Sequence, residues 1–252
     1  MSGPRSTTVE PLLLRVNGLE LAVRVEGDGD ALLLINGMTR SLQSWEPFTA
    51  ELPGHTLISF DVPGVGGSPA PVLPLSIPAL AALATAVLDA VEVDSADVLG
   101  YSHGGAVAQQ FAHDAPGRLG RLILVATSCG VGSTPGSRRA VMRGLQAAGA
   151  RDAWPSADAW GLLWPSLAFS TWSSIPFLGS IYAPTLVVCG SHDRVVPPAN
   201  SRVLASRIPD ASLVMIPGGH DLQRPELAKA LARVVADFLP ALGATERVAT
   251  GE

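Results

Sequence analysis

Charge is scarce in this sequence, cysteine scarcer, and lysine all but missing. Charged residues make up 15% of the 252 positions and the formal net charge is −5, so nothing supplies a basic surface for phosphate backbones. Nucleic acid is therefore not an expected partner. The basic side chains are almost all arginine, with Lys229 the only lysine. Two cysteines, Cys129 and Cys189, are too few for a disulfide framework and lack metal-ligand spacing, which leaves them as free thiols in apolar stretches. No apolar run follows Arg5 within Met1 to Glu10, so no secretory signal is read and a cytoplasmic location is the default expectation. Long uninterrupted hydrophobic runs are also lacking. Val62 to Leu88 carries no charge, but Gly and Pro break its first half and leave Ile77 to Leu88, about 12 residues where a membrane span needs roughly 20. This stretch reads as a buried helix, and no transmembrane segment is expected.

What is present is apolar: 47% of the residues are hydrophobic, enough to bury a large core. Runs rich in Val, Leu and Ile alternate with helical patterns, which is how a mainly parallel sheet with crossover helices reads. Leu12 to Val16 and Leu19 to Val25, joined at Asn17-Gly18, predict an antiparallel hairpin with a tight primed turn. Further strands are expected at Ala31 to Ile35, Thr56 to Phe60, Ala96 to Leu99, Leu122 to Ala126, Thr185 to Cys189 and Leu213 to Ile216. Helices are expected over Ser41 to Leu52, from Ser76 as N-cap through Leu88, over Ser102 to His113, and over Pro225 to Leu239, where Pro240 stops the last one. Thr245 to Glu252 reads as a loose tail.

No internal repeat interrupts this order, and one domain spanning residues 1–252 is expected. The only shift in composition is an insert, Gly130 to Ala183, lying between two strands of the same sheet. Ala159 to His192 includes no Lys, Arg, Asp or Glu, and Trp154, Trp160, Trp164 and Trp172 fall in or just before that span. Such a segment must cover something apolar, and Trp164, Phe169 and Trp172 are its candidate substrate-binding residues.

The chemistry-bearing pattern is Gly100-Tyr101-Ser102-His103-Gly104, a G-x-S-x-G that follows one predicted strand and opens a predicted helix. So sharp a turn strains the backbone at the serine and leaves no room for flanking side chains, which Gly100, Gly104 and Gly105 provide for. A serine hydroxyl needs a base, and the base needs an acid to fix its tautomer. Asp193 follows the strand Thr185 to Cys189, and His220 follows the strand Leu213 to Ile216 through Pro217-Gly218-Gly219. The chain order Ser102, Asp193, His220, each just beyond a strand, matches nucleophile-elbow hydrolases. Oxyanion donors are expected from the backbone N–H groups of His103 and of Met38, in the loop Asn36-Gly37-Met38 after the third strand. His55 and His113 are read as solvated or capping residues and His192 as a surface-loop residue. No metal site and no cofactor are implied. Asp61 to Ser68 is glycine-rich but lacks a P-loop lysine, so it is read as a structural turn near the site.

On these residues the chain resembles the α/β-hydrolase superfamily over nearly its whole length. Phe60 to Ser68, Ala108 to Asp114 and Pro184 to His220 look like the intracellular medium-chain poly(3-hydroxyalkanoate) depolymerases. The resemblance implies an α/β-hydrolase fold with a mostly parallel eight-stranded sheet, helices on both faces and a short helical lid. It implies a serine esterase or depolymerase using Ser102, Asp193 and His220 on a small hydrophobic ester or polyester, with association to polymer granules. Two departures stand out: the family pattern has tryptophan where this chain has His103, and a longer insert than Gly130 to Ala183. The sequence leaves open a lactonase, thioesterase, perhydrolase or carbon–carbon bond hydrolase on the same triad, or a non-catalytic ligand-binding module. It fixes no oligomeric state.

Overall fold

Period-two alternation in the strands decides the layering. In the computed structural model, which describes residues 10–143 and 166–239, eight strands form one sheet. They are β1 Leu12–Val16, β2 Leu19–Glu26, β3 Asp30–Ile35, β4 His55–Phe60, β5 Ala96–Tyr101, β6 Leu119–Val125, β7 Thr185–Gly190 and β8 Ala211–Ile216. Their order is β1-β2-β4-β3-β5-β6-β7-β8, antiparallel only where β2 pairs with β1 and β4. Asn17 and Gly18 take φ of 48° and 80°, the left-handed pair that the primed hairpin turn requires.

Helices cover both faces. Leu33, Ile35, Val98, Leu122, Leu124 and Val187 point into one core, shared with α2 Ile77–Ala90, α3 His103–Asp114 and α4 Pro198–Arg207. Their strand neighbours Leu32, Leu34, Leu99, Ile123, Val125 and Val188 point into a second core against α1 Glu46–Thr49 and α5 Pro225–Phe238. Ser76 caps α2 as expected, accepting from the Ala79 amide at 3.3 Å.

Two helical readings differ. The helix expected over Ser41 to Leu52 is split into a 3-10 turn, Leu42–Trp45, and the single turn α1. Pro47 has no amide to donate to the Gln43 carbonyl, so an α-helical ladder cannot run through this point. Helix α4, which the sequence pattern does not predict, has no apolar stripe: Leu204 is its only fully buried large apolar side chain, while Asn200 and Ser201 are buried beside it. Strand and helix ends otherwise shift by one to three residues, as when β6 begins at Leu119 rather than Leu122.

The parallel register aligns the carboxyl ends. Ile35 lies opposite Gly100, Tyr101 opposite Val125, Val125 opposite Val188, and Gly190 opposite Ile216. The loops after β3, β5, β7 and β8 therefore emerge at one edge, and winding reverses direction between β3 and β5. Ligands of open α/β sheets bind at such a crevice.

Candidate active site

At the end of β5 the chain turns into α3 through Ser102, whose φ is 53° and ψ −116°. A non-glycine residue held there costs on the order of 1–3 kcal/mol and persists only when its surroundings over-determine it. They do so here. The Ser102 amide donates to Val125 O at 2.8 Å, and Ser102 O accepts from Thr127 Oγ1 at 2.7 Å and from the Gly105 amide at 3.0 Å. A Cβ on Gly104 would lie 2.1 Å from Ile35 O, and one on Gly100 would lie 2.4 Å from Gly104 O. The close packing of α3 against β3 and β5 thus demands the glycines flanking the turn.

Ser102 Oγ lies 3.1 Å from His220 Nε2, and His220 Nδ1 lies 2.7 Å from Asp193 Oδ2. The Asp193 side chain is fully buried, and its other oxygen accepts from the Val195 and Val196 amides at 2.8 and 2.9 Å. An ionised carboxylate only accepts, so the neutral imidazole carries its proton on Nδ1 and leaves Nε2 to accept from the serine hydroxyl. Two loops are pressed together to achieve this: the His192 amide donates to Gly218 O at 2.8 Å, and the Ser191 amide to Ile216 O at 2.9 Å. This arrangement can move the Ser102 proton to His220 while Asp193 holds the ring.

The residue before the serine holds the histidine from its other side. Tyr101 is buried at the end of β5, its hydroxyl donates to His220 O at 2.5 Å, and its ring centroid is 5.7 Å from the imidazole. Burial pushes the Tyr101 hydroxyl well above the usual phenol range, so it remains a donor. A polar brace continues to the loop after β3. Asn36 Oδ1 accepts from the Gly37 amide at 2.9 Å and from Gln223 Nε2 at 3.1 Å, and Gln223 Oε1 accepts from Arg40 at 3.1 Å. Arg40 also pairs with Asp221 at 3.0 Å. None of these roles was read from the sequence. Asp221 and Gln223 stand next to His220, but their partners are far away in the chain.

The site opens on a cavity of about 590 Å³. Gly37, Met38, Ser102, His103 and His220 line it together with Phe169 from the insert, and the His103 and Phe169 ring centroids are 6.2 Å apart. Trp172 is placed otherwise. It is buried, with Nε1 donating to Gln110 Oε1 on α3 at 2.7 Å, and it does not line this cavity. Trp164 lies outside the described residues. Ser174 adds a second anchor, donating to Gln109 Oε1 at 2.7 Å.

His55 departs from its reading as a solvated or capping residue, since it begins β4 and is buried, with Nδ1 3.3 Å from Pro53 O. His113 stacks on Phe177 with centroids 4.4 Å apart, and His192 lies exposed on its loop. Asp61 fills the glycine-rich turn: its oxygens accept from the Leu42 amide at 2.6 Å and the Gly67 amide at 2.9 Å. Asp61 thus takes the Gly67 amide of the turn itself and ties the turn to Leu42. Among the described residues no group of three or more His, Cys, Asp or Glu side chains could hold a metal ion.

The family model described as the alpha/beta hydrolase fold matches residues 30–147 and 155–226. A poly(3-hydroxyalkanoate) depolymerase of Ectopseudomonas oleovorans is 36% identical over 239 residues, covering 82% of this chain and 83% of that one. Among solved structures, a hydrolase from Pseudomonas aeruginosa PA01 superposes with a TM-score of 0.81 at 26% identity, covering 94% of this chain and all of that one. An enol-lactonase from Burkholderia xenovorans LB400 gives 0.80 at 25% identity, covering 90% of this chain and 99% of that one.

Proposed function

The chain belongs to the alpha/beta hydrolase fold family, and from that premise we propose that it is a serine hydrolase of carboxylic esters with hydrophobic acyl or hydroxyacyl groups. The observation that carries this reading is the continuous hydrogen-bonded series Ser102–His220–Asp193 at the mouth of a cavity. Ser102 Oγ attacks the ester carbonyl as His220 takes its proton. The imidazolium, stabilised by Asp193, then protonates the leaving alkoxide. Water, deprotonated by the same ring, cleaves the acyl-enzyme and restores the serine.

The charge that develops on the carbonyl oxygen needs donors aimed at it, and losing one typically costs a factor of about 10² to 10³ in rate. The amides of Met38 and His103 fill that role. In the loop after β3 the Gly37 amide is committed to Asn36 Oδ1, which makes Met38 the next amide in line. His103 is the first residue of α3, where the helix dipole favours negative charge.

Substrate class follows from the wall. Val141, Phe169, Val195, Val196 and Leu227 line the cavity, and each buried CH₂ of an acyl chain gains about 0.8 kcal/mol there. The depolymerase relative supports a hydroxyacyl ester, with residues 130–183 acting as the lid of a single domain and Trp172 anchoring that lid from below. A second reading, hydrolysis of a lactone by the same three residues, is favoured by the likeness to the enol-lactonase. No helix among the described residues is long and apolar enough to cross a membrane. We place the protein in the cytoplasm and on polymer granules, for which the exposed Val131, Met142 and Leu167 supply apolar contacts. Granules that fail to carry the protein down on sedimentation at low salt would contradict the second placement.

The test is hydrolysis of p-nitrophenyl esters from acetate to laurate by the protein and by Ser102→Ala. Turnover peaking at medium chains and reduced by about 10⁶ in the variant is expected. Equal turnover by the two proteins would overturn the reading.

A further inference from the structure

Among the described residues the cavity wall has an excess of positive charge on a molecule that is negative overall. The chain has a formal charge of −5, yet the described lining holds Arg40, Arg143 and Arg224 against one carboxylate, Asp221, with Asp193 buried behind His220. That carboxylate is already divided: Oδ1 lies 3.0 Å from Arg40, and Oδ2 lies 3.1 Å from Arg224. Burial alone would raise the Asp221 pKa. The Arg40 charge and hydrogen bonds from both guanidinium groups outweigh it and hold the carboxyl below its usual range, so Asp221 stays ionised and fully engaged.

Arg143 is exposed at the cavity wall. Its Nε donates to Arg139 O, 3.3 Å away in its own helical turn, and no acidic side chain among the described residues pairs with it. Arg224 gives Nε to Asp221, and its side chain remains 48% exposed. The remaining wall is largely apolar, with Phe169, Val195, Val196 and Leu227, so little in it competes for these cations. An excess of positive charge in a concave apolar site concentrates anions, and planar guanidinium groups pair well with carboxylates.

We infer that this cavity selects esters that also carry a free carboxylate, with Arg143 as its anchor and Arg224 beside it. A short linear oligomer of a hydroxy acid has this chemistry at one end, whereas the interior of a polymer chain does not. The inference rests on the ester-hydrolase reading and deepens it. The substrate taken in is an oligoester end, cleaved near its carboxyl terminus.

The experiment compares kcat/KM for 3-(butanoyloxy)butanoate with that for neutral 3-(butanoyloxy)butanamide, a near-isosteric pair that differs in charge and, like an oligoester end, carries the distinguishing group on the alcohol side of the ester. The expected acid-to-amide ratio is about fivefold at low salt and falls as salt screens the exposed guanidinium groups. Arg143→Met should bring the ratio close to one. Arg138→Met, which removes the same charge from a residue that does not line the cavity, should preserve it. A ratio at or below one in the unaltered protein, or one unchanged by Arg143→Met, would overturn the inference while leaving the ester reading intact. If neither ester turns over, the ester reading fails. Calorimetric binding of 3-hydroxybutanoate against 3-hydroxybutanamide then decides the anchor: Arg143-dependent preference for the acid supports it, and equal or absent binding contradicts it.

Discussion

The loops at the strand ends and the insert segment 166–172 both line the cavity, but they are held by different means. The loops are cross-tied by buried and part-buried polar bonds between remote parts of the chain: Tyr101 to His220, Asn36 to Gln223, Arg40 to Asp221. The insert is fastened to α3 through Gln110 and Gln109, and among the described residues it approaches the serine through Phe169, whose ring lies against His103, and through Ser166, whose hydroxyl lies 3.4 Å from Met38 Sδ. A polar network fixes atoms to tenths of an ångström and leaves buried groups unsatisfied when one member is lost. Ring contacts fix volume and tolerate exchange. The difference teaches where to look for each property: turnover should reside in the loops, and acyl selectivity in the insert.

The comparison breaks most visibly at Asp193. Asp193→Asn keeps an oxygen for the Val195 and Val196 amides but presents an NH₂ to His220 Nδ1, forcing the ring proton onto Nε2, which faces Ser102. A loss of about 10⁴ in kcat is expected, with little change in KM. Steady-state kinetics checks it, with circular dichroism confirming the fold.

On the insert side, Phe169→Ala should lower kcat/KM for medium-chain esters about tenfold while leaving acetate nearly unaffected, because only the longer chain reaches the lost ring surface. A uniform loss across chain lengths would place Phe169 with the turnover machinery and erase the distinction between the two walls.

Tyr101→Phe sharpens it. Removing the hydroxyl that holds His220 O should reduce kcat about three- to tenfold at constant KM and shift the acid limb of the pH–rate profile, which a purely packing role would leave in place.

The smallest effect concerns acid stability. Asp221 has a pKa depressed below its ordinary 3.8 in the folded protein, through Arg40 and Arg224 overcoming its burial. The stability it contributes is therefore present above pH 3.8 and is lost as pH falls through the depressed value. Asp221→Asn should lower Tm near neutral pH and flatten the decline of Tm below pH 4, as thermal melts across that range would show.

What the sequence made legible follows the same division. Ser102, Asp193 and His220 each stand directly after a strand, so local pattern placed them at one edge before any tertiary contact was known. The glycines of the elbow were legible for the same reason: a strand-to-helix turn states its own steric demands. Arg40 and Gln223 were not, because 183 residues separate them and only sheet topology brings their loops together. Trp172 misled as a substrate-facing residue because an uncharged, tryptophan-rich run looks alike whether it meets substrate or α3. Helix α4 escaped notice because it buries Asn200 and Ser201, where periodicity looks for apolar side chains. Asn200 bonds the backbone of Thr134 at both its amide and its carbonyl, a long-range role that propensity does not register.

The most direct measurement of the central proposal is labelling of the folded protein with a fluorophosphonate, followed by mass mapping of the modified residue. A nucleophile activated by His220 should give one adduct, on Ser102, absent in Ser102→Ala and formed far more slowly in Asp193→Asn. Folded protein that gives no adduct, or gives one on another serine, would contradict it.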